Sequence, residues 1–498
     1  MIKIQFLDKS QRDQIGFTYI LDKLQVMTPF GEILKRNLKP FSNKSKTSLM
    51  VELNNIEKVV KNYTLETTLI DNIEILFCRL KDISNSLKRC ENNSILDDVE
   101  LFEIKNFTLI INELIESFSL LNSKLNLEHI RFISLDDTLE LLDPEGRRLP
   151  TFHIYDKYSP NLKEIRKIKR TLENRILSSC DEKEILSLKE ERLKYVLLEE
   201  EEELNVRKYL CSEIKKYIVD FKINIKSLGK LDLTLAKSKL AINFNCSRPI
   251  ISEDLNIHLK NAINPEVDSI LKGKGKAFVP ITIEVKSGTT IITGANMGGK
   301  SISLKTLVLN VLLFQMGFFL FCDKAIIPIL DFIYFISDDL QSVHQGLSTF
   351  GAEIIKLKQV LAHAKDKNGL IALDEFARGT NPKEGGFLVK SLCIYLNSLK
   401  SISIISTHYD NIVENSMVHY QVIGLKNLDF TSLKRKIDLN KARSVEIIQE
   451  HMDYRLELVS NKNSVPKDAL NICVLLGLNN EIISISKKFY DESLKKGD

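Results

Sequence analysis

The segment Gly294-Ala295-Asn296-Met297-Gly298-Gly299-Lys300-Ser301 has the residue types and spacing of a phosphate-cradling loop. Its glycines let successive backbone N–H groups turn inward on a polyphosphate, Lys300 can reach the β and γ oxygens, and the Ser301 hydroxyl can ligate Mg²⁺. The flanks agree with that chemistry. Thr290-Ile291-Ile292 reads as a buried strand entering the loop, and Ser301 to Leu312 as the helix leaving it, with its positive dipole end toward the anion. Further along, Gly369-Leu370-Ile371-Ala372-Leu373 is an apolar strand that ends in two carboxylates, Asp374 and Glu375. Asp374 is expected to hold the metal or its water and Glu375 to polarise the attacking water, because in-line phosphoryl transfer needs positioning and charge neutralisation. Alone, this segment would read as a core strand meeting solvent at an acidic turn; the phosphate loop changes that reading. A third apolar strand, Ser403-Ile404-Ile405-Ser406, ends in Thr407-His408 at the same carboxyl edge, where open α/β sheets bind ligands. His408 is a candidate γ-phosphate sensor or water-orienting group, although a histidine after a strand is by itself more often structural.

Together these segments resemble the MutS family of ATPases. Thr293 through Ser301 is similar to that family's phosphate loop, including the Asn296-Met297 pair. Ser337-Asp338-Asp339-Leu340 with Leu347-Ser348-Thr349-Phe350 is similar to its signature segment, Asp374-Glu375-Phe376-Ala377-Arg378-Gly379-Thr380 to its Walker B strand end and loop, and Thr407-His408-Tyr409 to its switch. The resemblance covers roughly residues 255–485. Weaker similarity reaches the amino-terminal side. Leu24 through Gly31 resembles the start of the helical core, and Leu231-Asp232-Leu233-Thr234-Leu235-Ala236 the return of a lever helix to the ATPase.

The resemblance implies an α/β P-loop (ABC-type) ATPase domain preceded by an all-α core with long lever helices. It implies ATP and Mg²⁺, and a composite site in a homodimer or a heterodimer with a related MutS-like subunit, Ser348 and Thr349 of one subunit reaching the γ-phosphate bound by the other. Carried over residue by residue, Gly294, Ala295, Asn296, Met297, Gly298, Gly299, Lys300, Ser301 and Ile302 bind nucleotide. Ser301 and Asp374 hold Mg²⁺, and Lys300, Glu375 and His408 take the catalytic roles. From the residues alone, Leu347 to Gly351 is only a turn or a helix start that Ser348 or Thr349 could cap, with Glu353 in the early turn. Asn264-Pro265 and Val279-Pro280 occupy the region where the family contacts adenine, and neither supplies a clear stacking residue.

Composition fits a multi-domain chain. Its 498 residues, 44% of them hydrophobic, can bury more than one core, and the net charge of +4 is nearly balanced. The spacing of the 8 cysteines offers no C-x-x-C pair, so they read as reduced, mostly buried thiols of a cytoplasmic protein. Met1 to Phe6 begins no apolar signal core. Leu307 to Cys322, the stretch most like a membrane span, is broken by Asn310, Gln315 and Gly317 and reads as a buried helix running into a strand. The expected organisation is a helical core over 1–155, long lever helices over 156–235, and the ATPase domain with a helical tail over 236–498. Leu69, Ile73, Leu76, Phe77 and Leu80 show the helical period in the first part. No glycine or proline occurs from Leu162 through Leu228, which predicts two long helices or a hairpin folded near Ser178-Ser179-Cys180-Asp181.

Two absences are expected. The helical core begins by about residue 20, leaving no room for the family's mismatch-reading domain, and Phe30-Gly31-Glu32 reads as core packing instead of a mismatch wedge. The breaker-free stretch lacks turn chemistry for a strand-built DNA clamp, and Glu199 to Glu203 would repel phosphates at the end of the levers. Basic clusters at Lys163, Arg166, Lys167, Lys169 and Arg170, and at Lys35, Arg36 and Lys39, are the nucleic-acid candidates. Two functions therefore follow. One is a conformational ATPase of the DNA mismatch-repair type without the mismatch reader. The alternative is an ATP-dependent reactivating factor for an adenosylcobalamin-dependent aminomutase such as lysine aminomutase, a subgroup that Ala377 to Gly385 and Glu446 to Arg455 resemble.

Overall fold

The computed structural model describes residues 6–294, 299–337, 349–425, 433, 437, 451–459 and 468–496. They divide into two compact units, one of Met1–Leu24, Lys39–Leu53 and Lys239–Asp498, the other of Gln25–Leu38 and Asn54–Ser238.

Two short helices, α1 Lys9–Gln14 and α2 Phe17–Lys23, belong to the first unit. The second unit is helical. It holds α3 Pro29–Arg36, α4 Lys46–Asn62 from Asn54 onward, α5 Thr67–Cys78, α6 Ser84–Glu91, α7 Asp98–Leu125 and α8 Asp136–Leu142. It continues with α9 Pro160–Ser178, α10 Glu182–Ile214 and α11 Ile218–Asn243 through Ser238. Helix α7 starts where Asp97 and Glu100 form a reciprocal capping box and then runs without a breaker. Its apolar face, with Ile104, Phe107, Ile111 and Leu114, fills a core shared with Ile73 and Phe77 of α5, Leu210 of α10 and Phe221 of α11. Phe30 belongs to this core, 3% exposed and edge-to-face with Phe107 at 6.1 Å.

The two amino-terminal family-like segments meet at one carboxylate. Asp232 accepts hydrogen bonds from Met27 N (3.0 Å), Thr28 N (2.7 Å) and Thr28 Oγ1 (2.7 Å). Thr28 in turn caps α3 by accepting from Gly31 N at 2.9 Å. A side chain at position 31 would collide with the Asp232 carboxylate, so the close approach requires glycine there. Burial pushes the Asp232 carboxyl above its ordinary range, against the pull of its donors.

Helices α9 and α10 form an antiparallel hairpin that reverses at Ser179–Asp181, and α10, at 33 residues, is about 50 Å long. Glu173–Arg192 (2.8 Å) and Arg175–Glu184 (3.5 Å) lie toward the turn. Farther from it, Arg166 donates to Glu199 (2.9 Å), Glu203 (2.7 Å) and Asp156 (2.6 Å), and Lys169 pairs with the same Glu199. The acidic run therefore does not form the end of the hairpin, contrary to the sequence expectation. It lies within α10, with Glu199 and Glu203 neutralised by the basic face of α9, which takes Arg166 and Lys169 out of the free basic cluster. Lys35 and Arg36 are likewise paired with Glu32.

The other unit carries two sheets. The strands are β1 Ile250–Ser252, β2 Asn256–Ala262, β3 Ile281–Lys286, β4 Gly288–Thr293 and β5 Lys324–Pro328. They continue as β6 Phe332–Ile336, β7 Gly369–Asp374, β8 Ile402–Ser406, β9 Val418–Gly424 and β10 Asp453–Leu458. The larger sheet has the order β10-β9-β4-β8-β7-β6 and the smaller β1-β5-β2-β3. In the larger one every pair is parallel except β10 on β9. Strands β4, β6, β7 and β8 are buried along their whole length, as a parallel sheet covered on both faces requires. The covering helices are α13 Gly299–Gln315, α14 Thr349–Ala364 and α15 Pro382–Asn397; α12 Pro265–Gly273 packs beside α2, and α16 Asp468–Leu475 and α17 Asn480–Lys496 close the described chain. Helix α13 is buried nearly all round, and its polar residues are satisfied internally: Asn310 donates to Thr306 O at 2.9 Å and Gln315 to Leu330 O at 2.9 Å. Among the described residues no helix is long and apolar enough to cross a membrane.

Candidate functional site

Register brings the chemistry to one edge. In the parallel sheet Asp374 of β7 pairs with Ser406 of β8, and Ser406 with Ile292 of β4. The carboxyl ends of all three strands thus lie side by side, and α13 starts at Gly299 just beyond β4. Gly294 leaves β4 at φ +140°, and a Cβ there would lie 2.9 Å from the Val422 Cβ, so the turn is open only to glycine. Ala295, Asn296, Met297 and Gly298 lie outside the described residues, as do Ser348 and the preceding signature segment from Asp338. Ile302 is half-buried in the first turn of α13, and Thr349 opens α14.

Lys300 is almost fully buried, and its ammonium donates to Gly294 O at 2.8 Å and faces Glu375 Oε1 at 3.5 Å. Burial lowers its pKa, with Glu375 and Asp374 opposing that fall. Asp374 is 6% exposed, and its Oδ1 accepts from both Ser301 Oγ (3.0 Å) and Ser406 Oγ (2.5 Å). Burial pushes the Asp374 carboxyl up, and the two hydroxyl donors pull it back down. Glu375 follows at φ +49°, a left-handed conformation that its backbone N–H secures on Ser406 O (3.1 Å) and Ser406 Oγ (3.2 Å). Its other carboxylate oxygen accepts from Arg378 at 2.8 Å. His408 is half-buried against Tyr409, with ring centroids 4.4 Å apart, and its Nδ1 has no hydrogen-bond partner. Desolvation holds the imidazole below its ordinary pKa, so it is neutral at pH 7.

The structure therefore gathers Gly294, Gly299, Lys300, Ser301, Asp374, Glu375 and His408 at one sheet edge. A divalent cation fits the pair Ser301–Asp374, whose oxygens lie 3.0 Å apart at the end of the sheet. Two protein oxygens, with phosphate and water completing the shell, is the way Mg²⁺ is usually held. Asn264, from the region expected near adenine, is 1% exposed, caps α12 and donates to Ile15 O at 3.0 Å.

Sequence reasoning missed Ser406 and Arg378. Ser406 had a detectable signal, since it is the last residue of the strand before Thr407-His408 and a serine there can face the neighbouring strand's terminal carboxylate. Arg378 stands three residues after Glu375, within reach across one turn.

Comparison with known proteins places residues 290–473 in the family model of MutS domain V. The chain is 31% identical over 229 residues to a protein named Endonuclease MutS2 from Acetivibrio thermocellus, covering 44% of this chain and 28% of that one. A protein of the same name from Lactococcus lactis subsp. lactis is 27% identical over 94% of this chain, which covers 63% of it. One from Staphylococcus epidermidis is 36% identical over 185 residues, 36% of this chain and 23% of the relative. The chain thus spans less than two thirds of the length of each of these relatives.

Proposed function

We propose, from the premise that this chain is a MutS-like family member with a MutS domain V, that it binds and hydrolyses ATP with Mg²⁺ and uses the cycle to change conformation. The observation that carries this reading is the shared contact of Ser301 and Asp374 beside the Lys300–Glu375 pair, at the carboxyl edge of a parallel sheet. In this reading Gly294 through Ile302 form the P-loop and its helix start. Lys300 exchanges its Gly294 carbonyl and Glu375 partners for the β and γ oxygens of the triphosphate, a stronger partner for a buried ammonium. Ser301 and Asp374 hold Mg²⁺, which supplies neutralisation of phosphate charge when bound. Glu375, freed from Lys300, accepts a proton from the attacking water, and neutral His408 orients that water or senses the γ-phosphate. Ser348 and Thr349 complete the site of a partner subunit in a homodimer or a heterodimer with a related chain. Within the sequence division 1–155, 156–235 and 236–498, residues 25–38 and 54–155 serve as helical core, 156–235 as levers and 236–498 as the ATPase domain, with 1–24 and 39–53 grouped in the same compact unit as the latter.

The proposed partners follow from the family, whose relatives named above are called endonucleases. Duplex or branched DNA is the partner class their name suggests, with contacts that do not use Arg166 and Lys169, which Glu199 and Glu203 already hold. An aminomutase client draws no support from those relatives. The test of the chemistry is Glu375→Gln, measured for fluorescent ATP-analogue binding and for phosphate release. Retained binding with turnover reduced about a hundredfold or more supports the assignment; turnover equal to the unsubstituted protein removes Glu375 from the mechanism.

A further inference from the structure

The loop that carries Glu375 is held at one residue, Ala377, whose backbone N–H and C=O are bonded from two other segments. Ala377, two residues on, is fully buried at φ +64°, a second left-handed non-glycine residue in the same loop. Such conformations cost about 1 kcal/mol or more each and persist only where surrounding contacts impose them. Two side chains impose this one. Glu353 Oε2, on α14 and 4% exposed, accepts from Ala377 N at 3.2 Å. Tyr409, directly after His408, donates its hydroxyl to Ala377 O at 3.1 Å. Burial, with Glu353 and Glu375 nearby, raises the Tyr409 pKa, so the phenol keeps the proton it donates. The hydroxyl reaches Ala377 because residue 385 has no side chain: a Cβ there would lie 2.5 Å from Tyr409 Oη and 3.1 Å from Ala377 O. Phe376 and Ala377 pack in the sheet core together with Phe350 and Ile354 of α14. The helix that begins at Thr349, the Walker B loop and the strand end bearing His408 therefore converge on Ala377.

We propose that Glu353 and Tyr409 are positioning residues that set the angle at which Glu375 meets the attacking water. They make that angle depend on where α14 and His408 stand. The inference rests on the ATPase reading above. A displacement of α14 on engaging a partner reaches Glu375 through the Glu353 carboxylate, and a displacement of His408 reaches it through the adjacent Tyr409 hydroxyl. Both act on the backbone of Ala377, so removing either should lower turnover and spare binding.

The experiment compares steady-state ATP hydrolysis and ATP-analogue affinity in Tyr409→Phe, Glu353→Ala, Glu353→Gln and Gly385→Ala of the full chain. One lost hydrogen bond at the loop predicts a fall in kcat of about tenfold for Tyr409→Phe and for Glu353→Ala, with KM and affinity within about twofold. Glu353→Gln, whose amide oxygen still accepts from Ala377 N, should restore most of the rate. Gly385→Ala should reproduce Tyr409→Phe by pushing the hydroxyl away. Should one variant fail to fold, judged by its thermal midpoint, the remaining three carry the decision. Wild-type kcat in folded Tyr409→Phe and Glu353→Ala overturns the inference, as does a loss of affinity in proportion to kcat. Glu375→Gln in the same series separates the two readings. If it hydrolyses ATP normally, the ATPase assignment fails; if it is inactive while Tyr409→Phe and Glu353→Ala turn over normally, only the positioning role fails.

Discussion

Ser406→Ala tests whether the two acidic residues at the end of β7 work as a unit with the neighbouring strand. Ser406 is fully buried; its hydroxyl donates to Asp374 Oδ1 and accepts from Glu375 N at 3.2 Å. The substitution leaves Glu375 N its bond to Ser406 O at 3.1 Å, so the chief loss is one donor to a buried carboxylate. A hydrogen bond to a charged group contributes about 1.5–3 kcal/mol. Ser301 and any bound cation compensate in part, so the lower end applies, and kcat/KM should fall roughly tenfold. The pH dependence has a definite sign. Burial already raises the Asp374 carboxyl, and Ser406 is the first of the groups that lower it again. Without that donor, Asp374 protonates at higher pH, so the acidic limb of the kcat/KM profile moves toward neutrality while the basic limb stays. The assay is phosphate release at saturating Mg²⁺ across pH 5.5 to 9, with thermal unfolding as a control. A profile superimposable on that of the unsubstituted protein would refute the link between Ser406 and Asp374 ionisation.

Other substitutions probe separate parts of the structure. Lys300→Ala should weaken ATP-analogue binding by about 30- to 150-fold, since a charge-assisted phosphate contact is worth about 2–3 kcal/mol, and unchanged affinity would dismiss the P-loop assignment. Asp232→Ala leaves three donors at Met27 and Thr28 without their acceptor and should destabilise the helical unit by about 2–4 kcal/mol in urea unfolding followed by far-ultraviolet dichroism. A loss below about 0.5 kcal/mol would show the cluster to be incidental. Duplex DNA should raise ATP turnover by less than about twofold, because Arg166 and Lys169 of α9 are engaged with Glu199 and Glu203. A several-fold, salt-sensitive rise would show that other basic residues grip phosphate.

The segments that carry the proposed chemistry were legible because their information is local. A glycine-rich turn between an apolar strand and a helix, and an apolar strand ending in carboxylates, are each defined within about ten residues by backbone geometry and hydrophobic burial. The long breaker-free stretch disclosed the α9–α10 hairpin and its turn for the same reason. Sequence alone also fixed Phe30 as a core residue, since its F-x-E setting fell at a helix start.

Partner choice was decided only in three dimensions. The acidic run and the basic cluster looked like independent surfaces, yet Arg166 and Glu199 meet because antiparallel packing folds one helix back on the other. Thr28 and Asp232 lie far apart in the chain, and Ser406 reaches Asp374 only through sheet register. Ala377, an apolar residue with no chemistry of its own, became the junction of three segments because its peptide N–H and C=O are buried and must find partners. Hydrophobic periodicity is written along the chain, whereas the pairing of a buried polar group depends on which distant element the folded backbone brings within 3 Å of it.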